Sequence, residues 1–120
     1  MEFINYPPCS TCQKARKWLE QNNITFTDRH IKVNNPTYEE LKHWLTLSGL
    51  PIKRFFNTSG LLYKSLDLKN KLPAMSENDQ LLLLASDGML VKRPIIIHQD
   101  AILLGFKEAE WSKVLLNKND

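Results

Sequence analysis

The sequence predicts an α/β fold in which an N-terminal βαβ unit and a C-terminal ββα unit are separated by a helical insertion. Three observations carry that expectation. Short runs of strand character stand at Glu2–Tyr6 and Ile24–Thr27 near one end and at Ile95–Ile97 and Ala101–Leu104 near the other, with a long helix-forming stretch between. The pair Cys9-Ser10-Thr11-Cys12 lies at the first strand–helix junction. Lys92-Arg93-Pro94 leads directly into the third strand.

Each element follows from local pattern. The strand Glu2-Phe3-Ile4-Asn5-Tyr6 is stopped by Pro7-Pro8, and Ala15, Trp18 and Leu19 then recur at helical spacing with Lys14, Arg16 and Lys17 on the polar side. Asn22-Asn23 breaks that helix. Ile24-Thr25-Phe26-Thr27 alternates as a second strand, parallel to the first through the crossover, and His30 to Asn35 reads as a connector with His30 an ordinary polar residue. Thr37-Tyr38-Glu39-Glu40 has the capping-box pattern; Leu41, Trp44 and Leu45 form the apolar face behind it, and Gly49 and Pro51 close the helix. Short helical pieces are expected at Pro51–Phe56 and Tyr63–Leu68, flanking a turn at Asn57-Thr58-Ser59-Gly60. Ser76 caps a helix whose buried side runs through Leu81, Leu82, Leu84 and Ala85, ending at Asp87-Gly88. Gln99-Asp100 turns a hairpin, Gly105 ends its second strand, and a closing helix from Lys107 to Leu116 packs Ala109, Trp111, Val114 and Leu115. The expectation is one domain over residues 1–120.

Composition narrows the function classes. A hydrophobic content of 42% and a charged content of 24% suit a soluble globular chain. The net charge of +3 is mild, and neither a Lys/Arg run nor a basic–aromatic alternation suggests direct nucleic-acid binding. No apolar run approaches the ~20 residues that cross a bilayer, and Met1 leads straight into a strand, so a cytoplasmic protein is expected; a monomer is the expected oligomeric state. In a reducing compartment a CxxC pair is catalytic or sensory rather than a permanent staple.

The chemistry of the pair follows from its position. Cys9 just before a helix meets unpaired N–H groups and the positive end of the helix dipole, both of which favour thiolate. At a free pKa of ~8.5, a few per cent is thiolate at neutral pH, and lowering that value to about 7 takes ~2 kcal/mol. A helix terminus supplies ~0.3–1 kcal/mol, so a hydrogen bond or a cation must add the rest; N–H groups from Thr11 onward, the Thr11 hydroxyl and a distant arginine are the candidates. Cys9 is the expected nucleophile. Cys12, one helical turn later, is placed as the resolving thiol. A chance CxxC match and half of a zinc site are the alternatives, but zinc needs two further ligands, while His30, His43 and His98 are scattered singly.

The element order, with CxxC at the first junction and a proline before the third strand, is the thioredoxin-like pattern with a helical insertion; such folds place a cis peptide at that proline. Pro-Cys-Ser-Thr-Cys-Gln-Lys-Ala-Arg-Lys-Trp-Leu-Glu, Phe-Phe-Asn-Thr-Ser-Gly, Leu82–Leu90, Lys92-Arg93-Pro94 and Gly105–Glu108 together resemble the ArsC/Spx family, and within it the ArsC-like branch of Gram-positive bacteria labelled as arsenate reductases. The resemblance implies Cys9 attacking arsenate, with glutathione and glutaredoxin, or thioredoxin, as the electron donor and no bound cofactor or metal. It implies an oxyanion-holding role for Arg93 beside Pro94, whose planar guanidinium suits arsenate, phosphate or a carboxylate. Ser10, Thr11 and Lys14 join Arg93 and Pro94 as expected substrate-binding residues. Two further arginines of those reductases correspond to Asn57 and Gly105, and a histidine to Asn5. Arg93 is then the one cation expected at the anion site, and weak arsenate turnover follows. The second cysteine instead resembles Spx, implying a Cys9–Cys12 disulfide switch and an RNA polymerase α-subunit partner, although Spx-like proteins carry a longer polar C-terminal segment. Lys53, Arg54 and Lys64 are the candidate docking charges. A reductase of glutathione mixed disulfides is the third implied function.

Overall fold

In the computed structural model, which describes residues 1–116, four short strands form one mixed sheet. The strands are β1 (Glu2–Asn5), β2 (Thr27–His30), β3 (Ile95–His98) and β4 (Ala101–Leu104). Their order across the sheet is β2-β1-β3-β4. β1 runs parallel to β2, as the crossover requires, and antiparallel to β3, which pairs antiparallel with β4 across the Gln99-Asp100 turn.

The alternation of side chains along these strands divides the core in two. Phe3, Ile96 and Leu103 point to one face, where they meet Ala15, Trp18 and Leu19 of α1 (Ser10–Gln21) and Trp111 of the C-terminal helix Glu108–Leu115. Ile4, Ile95 and Leu104 point to the other, against Leu41 and Trp44 of α2 (Tyr38–Ser48) and the rest of the insertion: α3 (Leu61–Ser65), α4 (Leu68–Lys71) and α5 (Glu77–Ser86), with the C-terminal helix thus α6. The expected α/β, thioredoxin-like architecture with its helical insertion is what the chain adopts.

Local signals act as read. Thr37 and Glu40 make both bonds of the capping box, and Gly49 takes the left-handed conformation (φ 65°) that ends α2. Ser76 caps α5 through the Asp79 N–H. Pro51–Phe56 contains a short 3-10 turn, Ile52–Phe55.

Three expectations are corrected. The second strand is Thr27–His30, not Ile24–Thr27: Ile24 and Phe26 are apolar because they pack beside α1 and α6 from the loop, while the strand itself is the polar Thr-Asp-Arg-His. Its inward residue, Arg29, is buried by pairing with Glu40 at two contacts of 2.8 Å, which no hydrophobic pattern reveals. On α5, Leu82 is 51% exposed, because Leu81 and Leu84 set a face that turns it outward. On α6, Trp111 alone is buried; Ala109 is exposed and Val114 is 37% exposed. No described helix is long and apolar enough to cross a membrane.

Candidate active site

Two prolines and a hydrogen bond build the cysteine loop. The Cys9 N–H donates to the Tyr6 carbonyl (2.9 Å) across Pro7-Pro8, and the Gln13 side chain donates to the Pro7 carbonyl (2.9 Å). Cys9 thereby becomes the residue that caps α1. Its sulfur makes no capping hydrogen bond as a thiol, but the Cys12 and Thr11 N–H groups face it.

The two thiols are electrostatically opposite. Burial raises the pKa of Cys9, but the Cys12 N–H, the Cys12 thiol, the Arg93 guanidinium and the Thr11 N–H together outweigh it and hold Cys9 below the ordinary thiol value. For Cys12, burial dominates and pushes the thiol up to about 12, reinforced by Cys9 and only partly offset by the Tyr6 N–H, which donates to the sulfur at 3.5 Å. Cys9 is half-buried and Cys12 fully buried, and both are free thiols. The help from Thr11 comes through its backbone N–H.

Tyr6 joins these parts, a role the sequence did not disclose. Its carbonyl holds Cys9, its N–H meets Cys12, and its ring lies under the Arg93 guanidinium, 5.1 Å from Cζ to the ring centroid. Arg93 also donates to the Met89 carbonyl at 3.4 Å. The ring of His30 stands edge-on to Tyr6 at 5.7 Å, and its Nδ1 accepts the Lys32 and Val33 N–H groups, an ordinary structural role.

Cys9 opens into a cleft of about 640 Å³ lined by Thr11, Arg54, Asn57, Lys92, Arg93, Gly105 and Lys107, among others. The insertion reaches it because its chain pairs with the segment before β3: Asn57 N–H donates to Leu90 O and Lys92 N–H to Phe55 O, both at 2.8 Å. The expectation of a single cation is therefore corrected. Arg93 is joined by Arg54, Lys92 and Lys107, and no carboxylate lines the cleft among the described residues. Asn57 and Gly105 do face the cleft, but Lys92 crosses Gly105 so closely that a Cβ there would stand 3.0 Å from its Cε. A flexible ammonium occupies the space over Gly105. The signal was present in the Lys92-Arg93 dipeptide and the lysine two residues after Gly105; the turn that brings Arg54 across was not.

The remaining expected residues are placed less centrally. Ser10 and Lys14 are exposed on the first turns of α1, and neither lines the cleft. Pro94 is buried behind it; the Arg93–Pro94 peptide is cis, and the Pro94 carbonyl accepts the Gly105 N–H at 2.8 Å. Of the docking charges, Arg54 belongs to the cleft, Lys53 to the adjoining hollow, and Lys64 to neither. Asn5 is buried, its side chain bonded to Asp28 (2.7 Å) and Arg16 (3.2 Å). No group of three or more His, Cys, Asp or Glu side chains is arranged for a metal among the described residues.

Comparison with known proteins identifies the family. The model of the ArsC family matches residues 4–114. The chain is 49% identical to YusI of Bacillus subtilis over 94% of its own length and 96% of that protein's. It is 30% identical to global transcriptional regulator Spx 2 of Bacillus anthracis, over 89% of this chain and 80% of the regulator. A solved ArsC family related protein from Bacteroides fragilis superposes with a TM-score of 0.90 at 58% identity, covering 93% of this chain and 94% of that one.

Proposed function

The chain belongs to the ArsC family, and from that premise we propose that it is a thiol-dependent oxidoreductase in which Cys9 attacks an oxidised, negatively charged substrate and Cys12 resolves the product. The observation that carries this reading is the contrast between the sulfurs: one drawn below the ordinary thiol pKa at the mouth of a cationic cleft, the other buried, pushed up to about 12 and one turn away.

With a disulfide substrate, the Cys9 thiolate attacks one sulfur, forming a mixed disulfide and expelling the other sulfur as a thiolate that takes up a proton. Cys9 then no longer bears charge, so its opposition to ionisation of Cys12 is lifted; the Tyr6 N–H and Arg93 remain to stabilise the new thiolate. Cys12 loses its proton and attacks the Cys9 sulfur, closing the Cys9–Cys12 disulfide and releasing the second substrate thiol. Two electrons have passed to the substrate. A dithiol donor, glutaredoxin with glutathione or thioredoxin, returns them. Arg93 and the neighbouring cations hold the substrate's negative charge.

The purified protein assayed with a glutathione mixed disulfide and with arsenate, each with glutathione/glutaredoxin and with thioredoxin, tests this reading. Disulfide reduction is expected to exceed arsenate turnover, because the cleft is wide and its cations sit on long side chains rather than in a fixed three-arginine fork. Cys9→Ser abolishes the reaction and Cys12→Ser traps a mixed disulfide; full activity of Cys9→Ser would overturn the proposal. The likeness to Spx 2 supports a second reading, a disulfide-switched protein that binds the RNA polymerase α subunit. Capture of that subunit by one redox form, without turnover of any disulfide, would favour it.

A further inference from the structure

The cleft does not end at the reactive thiol. A hollow of about 330 Å³ adjoins it on one side and shares Arg54 and Lys92 with it, adding Lys53. A second hollow of about 330 Å³ adjoins it on the other, shares Asn57, Gly60, Leu61 and Arg93, and adds Lys32. The two hollows share no lining residue with each other and meet the cleft at different residues, so the three read together as one groove with Cys9 in its central part.

Its chemistry is lopsided. Six of the chain's 16 Lys and Arg residues line this groove, against one of its 13 Asp and Glu residues, among the described residues. That one, Asp87, is already engaged, accepting the Met89 N–H at 2.8 Å. Dispersed surface charge would not separate the signs this way. Leu61, 87% exposed, stands where the central cleft meets the second hollow. A small oxyanion uses neither the outlying lysines nor an exposed leucine. A bare glutathione disulfide has no need of all three hollows, since a single cavity of about 300–1,000 Å³ accommodates a molecule of that size.

We propose that the substrate is a polypeptide whose oxidised cysteine lies in an extended segment, flanked on both sides by acidic residues and carrying an apolar side chain that rests on Leu61. This rests on the thiol-exchange reading above and names the substrate class of that same site. The cysteine sulfur meets Cys9, the carboxylates on one side run past Arg54 and Lys53, and those on the other run past Arg93 toward Lys32. Such a groove concentrates an acidic chain and speeds its encounter, an effect that salt suppresses.

The test uses three disulfides of 2-thiopyridine: a decapeptide with one cysteine among glutamates and a leucine, the same peptide with lysines for glutamates, and the mixed disulfide with 2-mercaptoethanol. Cys9 attacks the non-pyridyl sulfur in each, and the 2-thiopyridone released is followed by absorbance. The acidic peptide is expected to react about tenfold or more faster than the basic one at low salt, with the gap closing as salt is added. Lys32→Glu and Lys53→Glu, combined, are expected to lower the ratio of the acidic-peptide rate to the mercaptoethanol-disulfide rate severalfold. Equal rates for the two peptides beside rapid reaction of the small disulfide would overturn the polypeptide proposal and leave the thiol chemistry standing. Failure of all three to react would overturn the thiol chemistry, and this inference with it.

Discussion

Charge on a single sulfur depends on few neighbours, and each can be removed. Arg93 is the cation among the groups that lower the Cys9 pKa, and Tyr6 is the surface on which that cation rests. Alkylation by iodoacetamide as a function of pH should place Cys9 below the ~8.5 of a free thiol. Arg93→Ala should move that midpoint up, because it removes the cation among the groups that lower it. Tyr6→Leu should raise it by less than Arg93→Ala does, whereas Tyr6→Phe, which keeps the ring, should leave it close to the wild-type value. In the same experiment Cys12 should resist alkylation until the chain is unfolded, since it is buried and protonated across the working range.

At the scale of an element, the start of α2 does two jobs with one residue. Glu40 closes the capping box with Thr37 and also receives the buried Arg29 guanidinium through both carboxylate oxygens. Thr37→Ala should cost about 1 kcal/mol, the usual value of a cap. Glu40→Gln should cost more, about 2–4 kcal/mol: it leaves Arg29, whose side chain is 7% exposed, without its bidentate partner, while the 36% exposure of Glu40 keeps the loss below that of a fully buried pair. The pH dependence has a definite sign. Hydrogen bonding to Arg29 holds the Glu40 carboxyl below its ordinary value despite its burial. Its contribution is therefore present above the unfolded-state pKa of ~4.3 and is lost as pH falls through the lower folded value. Urea midpoints between neutral and acid pH should fall steeply in the wild type and less steeply in Glu40→Gln.

Across the whole molecule, one thin sheet separates two apolar clusters, and β1, β3 and β4 each contribute to both. Truncating the centre of either should therefore be felt by the other. Trp111→Ala, removing a fully buried ring whose Nε1–H donates to Gly105 O at 3.0 Å, should cost about 3–5 kcal/mol; Leu81→Ala on the opposite face should cost about 2–5 kcal/mol. In both variants tryptophan fluorescence and far-UV circular dichroism should give superimposable transitions, as expected of a single cooperative domain. Two separated transitions would instead show the insertion unfolding by itself. Trp111 also tethers Gly105, so its loss should slow Cys9 chemistry more than Leu81→Ala does at matched stability.

The residues alone determined what depends on short spacing: the order of elements, the caps at Thr37 and Ser76, the stop at Gly49, the hairpin at Gln99-Asp100, and Cys9 at the head of a helix with Cys12 a turn behind. Such features are set by backbone hydrogen bonds over three or four positions, so a local pattern suffices to reveal them. Only the folded chain decided the rest. The second strand is polar because an ion pair, not hydrophobicity, buries Arg29. Arg54, Lys92 and Lys107 surround a cleft that the family resemblance assigned to Arg93 alone, because long-range pairing at Phe56–Val91 and the tether of Gly105 to Pro94 bring three distant segments together. A cation's position in space is fixed by what its backbone packs against, and those partners lie dozens of residues away.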